Sequence, residues 1–384
     1  MTRASSRIRR LTHPLHLALL ASSLALCAAT PQIAARGYTS MALDASGNLY
    51  GWGDNGDGLL GRYGRSDKPL AINPAIAVAR GYTGRARTFL IDTLGGLWGS
   101  GANNIGQLGD GTFFLRRSGL VKLGEQYQDL ALGANHTLAI KRDGSLWAWG
   151  DNSAGQLGNG ASSASAKPVA LGLSKVKAVA AGSQHSLALL EDGSLWAWGD
   201  NSFGQLGDGS QTAHSTPVQV GSDYVQIAAG DDFSMALRAD GTLLAWGANQ
   251  RGQLGDGNKL PRAKPVQIAG SYRQIAAAGQ ASFAISTSGK LTAWGSNTAD
   301  PIAPAAGVTL AQSTIGLAVN DQFVLLQKGD GSLYSIDRND QAPSNGGGIV
   351  PSVLATTPVA LAGEIKSFAA GGGQALLVKK DGSS

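Results

Sequence analysis

Gly56-Asp57-Gly58-Leu59-Leu60-Gly61 matches the spacing with which glycines cradle a dinucleotide pyrophosphate. That chemistry needs a strand before the glycines and a helix after them, whose N-terminus faces the phosphate. The residues that follow, Arg62-Tyr63-Gly64-Arg65-Ser66-Asp67-Lys68-Pro69, do not read as a helix. Asp54-Asn55-Gly56-Asp57-Gly58 has the look of a calcium loop, but it lacks the spaced oxygen ligands and the closing glutamate. His136 and His185 hold one slot of neighbouring repeats, where a metal would need further ligands converging on it. Thr39, Arg87, Phe233 and Ala281 fill that slot elsewhere, so a hydrogen-bonded histidine at the start of a strand is expected. Asp143, Asp192 and Asp240 each precede a glycine and read as turn residues. No Ser–His–Asp grouping or carboxylate pair stands out, and no catalysis, metal or cofactor is expected.

The chemistry that remains is recognition. Arginines lie beside aromatics in the first third of the chain, as Arg62-Tyr63-Gly64-Arg65, as Arg85 and Arg87 near Tyr82, and as Phe113-Phe114-Leu115-Arg116-Arg117. These types join large contact area to directed hydrogen bonds and are enriched where proteins bind one another. Arg62, Tyr63, Arg65, Arg85, Arg87, Phe113, Phe114, Arg116 and Arg117 therefore form the candidate partner-binding set. A second set, Asp231, Asp232, Phe233 and Arg251, is the alternative surface.

A repeat must position all of these. Ala180 to Gly209 reads AAGSQHSLALLEDGSLWAWGDNSFGQLGDG, and close copies begin at Ala131 and Ala228. Trp52, Ser100, Trp149, Trp198, Trp246, Trp294 and Ile336 hold one slot, at spacings of 48, 49, 49, 48, 48 and 42 residues. Within a unit, Val176–Ala181, Ser186–Leu190, Ser194–Trp198 and Pro217–Val220 are short strand-like runs. Asp192-Gly193 between the second and third predicts a tight type I′ hairpin. Four short strands per unit of about 50 residues predict an all-β, seven-bladed β-propeller with four-stranded blades. Leu138, Leu146, Trp149, Leu187, Leu189, Leu195, Trp198, Leu237, Leu244 and Trp246 are its expected core. A partial eighth unit starts at Ile365, and one of its strands is expected to pair with the first blade and close the ring.

The words GSQHSLAL, DG, WGDN and GQLG resemble the repeat of the regulator of chromosome condensation family, over roughly residues 33–384. The resemblance implies a seven-bladed propeller. Its members include exchange factors for a small GTPase, chromatin binders and secreted inhibitors of β-lactamases, so it does not choose among functions.

The N-terminus narrows the choice. Arg3, Arg7, Arg9 and Arg10 precede an apolar run from Leu17 to Cys27 and the small residues Ala28 and Ala29. This is the form of a cleaved secretory signal over residues 1–29, too short for a membrane span, with the propeller over 30–384. Cys27 fits a lipoprotein anchor poorly, because Leu26 stands where a small residue is wanted. The whole chain carries 31 basic and 26 acidic residues, and four of the basic ones lie in this segment. The mature charge is then near neutral and leaves no strong nucleic-acid footprint. With its one cysteine gone, the mature chain can form no disulfide.

The expectation is a non-enzymatic, secreted or periplasmic propeller, a monomer, that binds an unidentified protein of acidic surface as scaffold or inhibitor. The alternatives are an exchange-factor-like regulator of a small GTPase and an extracellular propeller enzyme or carbohydrate-binding module.

Overall fold

A computed structural model describes residues 76–295 throughout and, outside that span, the backbone of the strands given below. Arg62, Tyr63 and Arg65 lie outside the described residues. Blade one is β1 (Gln32–Arg36), β2 (Thr39–Leu43), β3 (Leu49–Gly53) and β4 (Ser66–Ile72). Blade two is β5 (Val78–Gly84), β6 (Arg87–Asp92), β7 (Leu97–Ala102) and β8 (Arg116–Gly124). Blade three is β9 (Tyr127–Leu132), β10 (His136–Lys141), β11 (Leu146–Gly150) and β12 (Ser165–Ala170). Blade four is β13 (Val176–Ala181), β14 (His185–Leu190), β15 (Leu195–Gly199) and β16 (His214–Gly221). Blade five is β17 (Tyr224–Ala229), β18 (Phe233–Arg238), β19 (Leu243–Gly247) and β20 (Arg262–Ile268). Blade six is β21 (Tyr272–Ala278), β22 (Ala281–Ser286), β23 (Leu291–Gly295) and β24 (Val308–Ala311). Blade seven contributes β25 (Thr314–Val319), β26 (Phe323–Lys328) and β27 (Leu333–Asp337), and the partial eighth unit β28 (Ile365–Gly371) and β29 (Gln374–Lys379). Each sheet is antiparallel with its strands in chain order.

The DG hairpins have a different turn from the one the sequence suggested. In β14–β15, Leu189 pairs with Leu195 and the Leu190 N–H donates to the Ser194 carbonyl at 3.0 Å, which leaves Glu191-Asp192-Gly193 as the loop. Gly193 has φ +81 and its N–H donates to the Leu190 carbonyl at 3.1 Å. Asp192 is not among the residues of positive φ, so the type I′ turn is absent here. Its carboxylate instead accepts the Ser194 N–H at 2.9 Å. This is a three-residue hairpin closed by a left-handed glycine.

The core lies between blades rather than within one sheet. Leu138, Ile140, Leu146, Ala148 and Leu157 of blade three pack with Val176, Ala188 and Trp198 of blade four. Leu187, Leu189, Leu195 and Leu206 then pack with Tyr224, Ile227, Leu244 and Trp246 of blade five. The ten residues expected in the core are all buried. The loop word GQLG faces the next blade's tryptophan. The Trp149, Trp198 and Trp246 indoles donate to the carbonyls of Gln107, Gln156 and Gln205 at 3.1, 2.9 and 2.9 Å. Gly158 has φ +72, and a Cβ there would stand 2.7 Å from the Trp198 Nε1.

At the inner rim the first strands follow one another, β1 beside β5, then β9, β13, β17, β21, β25 and β28. β28 lies in turn beside β1, which closes the ring. The sequence predicted closure by strand pairing. The structure instead gives β28 and β29 a two-stranded sheet of their own, stacked against blade one as blades stack on each other.

Candidate protein-binding surface

In the described blades two to five the strands alternate in direction, so the turn between the first two and the long loop between the last two emerge on the same face. In blade two these are the turn at Arg85-Ala86 and the loop from Asn103 to Leu115. Ala102 ties them together: its N–H donates to the Ala86 carbonyl at 2.7 Å, and it pairs with Arg116 in the β7–β8 register. Arg85, Phe113, Phe114, Arg116 and Arg117 thus come to one end of one blade. Arg85 and Arg116 are exposed.

An asparagine builds the long loop from inside. Asn103, Asn152, Asn201 and Asn249 are fully buried. The Oδ1 of each accepts the N–H of Leu108, Leu157, Leu206 or Leu254 at 2.9 to 3.1 Å. Each Nδ2 donates across the loop, from Asn103 to Asp110 Oδ1 at 2.8 Å and from Asn201 to Asp208 Oδ1 at 3.2 Å. These side chains are spent on their own loops; Asp54-Asn55-Gly56-Asp57-Gly58 lies outside the described residues.

A basic side chain on the outer strand meets the loop aspartate, and here blade two differs. Asp208 meets His214 at 2.8 Å and Asp256 meets Arg262 at 2.7 Å, both across six residues. Asp110 meets Arg117 at 2.6 Å across seven. The additional residue is accommodated in Phe113-Phe114-Leu115, and Asn103 N–H fixes the far side by donating to the Leu115 carbonyl at 3.0 Å. Phe113, Phe114 and Leu115 are 56, 61 and 80% exposed. Three consecutive large apolar side chains in water are a hydrophobic cost that a monomer normally avoids. Arg117 is committed to the loop, with its guanidinium 5.0 Å from the Phe114 ring centre as well as on Asp110. Asp110 titrates below the usual carboxylate range: burial acts upward, but hydrogen bonds from Thr112, Arg117 and Asn103 outweigh it.

Arg87 leaves the predicted set. It is completely buried, and its guanidinium donates to the Ala134, Gly133 and His136 carbonyls of blade three at 2.7, 2.9 and 2.8 Å. It does from blade two what a partner contact cannot share: it joins two blades. Tyr82 is similarly engaged, its hydroxyl donating to Asp129 at 2.6 Å.

The alternative set divides as well. Phe233 is buried. Asp232, half-buried beside Asp231 and Asp200, has its carboxyl pushed up to about 6 by burial first and by those charges second. His185 starts β14, and its Nε2 lies 3.0 Å from the Ser234 hydroxyl of blade five, as His136 Nε2 does from Ser186. Burial drives the His185 pKa down to about 4, so its ring is neutral. These histidines are inter-blade links at strand starts. Among the described residues, no cluster of three or more His, Cys, Asp or Glu could hold a metal.

Among the described residues, successive antiparallel sheets set side by side in a ring, with asparagine-built loops on one face, define a β-propeller of the repeat type that the sequence resembled. The chain belongs to the RCC1-like domain family, whose model matches residues 10–303. Human WBSCR16 is similar in structure, with a TM-score of 0.69, 21% identity, and coverage of 78% of this chain and 87% of that one. Prp20p of Saccharomyces cerevisiae, described with binding properties to Gsp1p and histones, gives a TM-score of 0.65 at 22% identity over 77 and 81%. In sequence, the human probable E3 ubiquitin-protein ligase HERC3 is 35% identical over 115 residues. That stretch is 28% of this chain and 11% of the human protein.

Proposed function

We propose that the chain is a non-catalytic, exported propeller that captures another protein on blade two. The observation that carries this is the exposed run Phe113-Phe114-Leu115, held out by the longer loop and followed by exposed Arg116. Apolar anchors bordered by arginine make up the usual centre of a binding site. Arg85 and Arg116 favour a partner of acidic surface, to which attraction would weaken as salt is added. The Arg-rich start and the Leu17–Cys27 run support export to the periplasm or medium.

The test is a pull-down from native envelope and medium, comparing the mature chain with one carrying Phe113→Ser, Phe114→Ser, Arg116→Glu and Arg117→Glu. Loss of the captured partner from the folded variant is expected. Undiminished capture would move the site to the loops around Asp231, Asp232 and Arg251. N-terminal sequencing of the protein from cell fractions tests export. An intact Met1 in the cytosol would contradict it and favour the exchange-factor reading.

A further inference from the structure

The outer strand of a blade is an open sheet edge, and proteins blunt such edges with proline or by keeping them short. Blades one, three, four and five each carry a proline on the outer strand, at Pro69, Pro168, Pro217 and Pro265. The register makes these one position: the next residues, Leu70, Val169, Val218 and Val266, pair with Gly51, Ala148, Ala197 and Ala245. Blade six has a four-residue outer strand instead. Blade two has neither the proline nor a short outer strand, and its remaining protection is the register shifts at Leu97–Trp98 and Gly99–Gly101. Its outer strand, β8, is nine residues long, and Leu120 stands where the prolines stand, one before Val121, the partner of Gly99. A proline is accepted here in four blades, so the N–H at this position is not needed by the ladder and faces outward. Ser118, Gly119 and Leu120 have no register partner on β7, and a Cβ added to Gly119 would meet nothing within 4 Å.

We infer that β8 accepts an extended strand of the partner as a fifth strand of blade two, and that this strand is acidic. The inference rests on the protein-binding reading above and deepens it. Main-chain hydrogen bonds would supply affinity, and alternate side chains would supply choice. β8 carries Arg116, Arg117 and Lys122 and no acidic residue; Arg117 is held by Asp110 at 2.6 Å and Lys122 by Glu125 at 2.7 Å, so an incoming carboxylate would share these cations with their present partners. A second copy of β8 would place like charges opposite one another, whereas glutamates on an incoming strand would meet cations. The exposed Phe113-Phe114-Leu115 run leads directly into β8, so one segment could use both the edge and the anchors.

The decisive variant is Leu120→Pro, which gives β8 the residue that four sister strands already carry. Its control is Leu120→Ala, which keeps the N–H. The probe is a fluorescein-labelled peptide of about twelve residues alternating Glu with Val and Ile, titrated into the full mature chain by anisotropy. Leu120→Pro is expected to weaken binding at least about tenfold while melting like the wild type, and Leu120→Ala to stay within about twofold. Equal binding by the proline variant, or no binding by the wild type, would overturn strand addition. Hydrogen exchange on the wild type covers the case in which the proline variant does not fold: the peptide should protect the 118–121 amides, and unchanged exchange there would equally overturn it. If Leu120→Pro leaves capture of the native partner intact while the four-residue loop variant abolishes it, blade two is the binding site but not by strand addition. If neither variant affects capture, both readings fall.

Discussion

The Gln156 carbonyl oxygen of blade three lies 2.9 Å from the indole Nε1 of Trp198 in blade four. The same oxygen accepts the Ser186 hydroxyl at 2.8 Å. One loop carbonyl thus receives two donors from the neighbouring blade, and the relation recurs for Gln205 with Trp246 and Ser234. The repeat word is an inter-blade fastener. It fixes the loop that carries any binding residues to the rigid ring.

The glycine closing that word should be irreplaceable for two separable reasons. Gly158 and Gly172 share φ +72, but only Gly158 has a tryptophan against its missing Cβ. Gly172→Ala should cost roughly 1 kcal/mol, the price of a left-handed alanine. Gly158→Ala should cost about 1–3 kcal/mol more, through overpacking against Trp198. Urea unfolding of both variants measures the difference. Equal losses would mean that the indole moves aside.

Arg87 should behave as a structural residue. Arg87→Met leaves three carbonyls of blade three, two of them buried, without its guanidinium and should cost roughly 3–5 kcal/mol. Arg87→Lys should recover only part of this, because an ammonium cannot reproduce the fork. A thermal melt of either variant matching the wild type would contradict the inter-blade role.

The contributions of buried His185 and half-buried Asp232 to the pH dependence of stability should oppose one another in mild acid. His185 has a folded pKa of about 4 against an ordinary 6.5, so its contribution is full above 6.5 and is lost as pH falls towards 4. Asp232 has a folded pKa of about 6 against an ordinary 3.8, so it destabilises above 6 and the penalty is relieved as pH falls towards 3.8. The slopes oppose one another between about 4 and 6. Asp232→Asn removes the second. The variant should melt higher than the wild type at pH 7 and lose stability more steeply between pH 6.5 and 4. Parallel Tm curves would show that Asp232 is not titrating there.

Much of this was legible in the sequence because the repeat writes each element several times. Val176–Ala181 coincides with β13, and the core leucines and tryptophans are buried as their spacing implied. Alternation was less informative. Leu195 and Ala197 face one way and Trp198 the other, yet all are buried, because each blade is covered on both faces. Asp-Gly suits a three-residue hairpin as well as a type I′ turn, so the dipeptide alone does not separate them. Arg87 joins the partner-binding set by residue type, yet its slot is histidine in the next two repeats, His136 and His185, which already points to a structural role. The additional residue between Asp110 and Arg117 and the leucine in place of proline at position 120 were both present in the sequence. Their meaning depended on the register that aligns the outer strands.

The central claim is that blade two carries the binding surface, and hydrogen exchange of the captured complex tests it most directly. Protection is expected over residues 111–124, the exposed apolar run and β8, with the inner turns of the other blades unchanged. Protection centred on the turn at Asp231-Asp232, with 111–124 exchanging as in the free chain, would contradict the account.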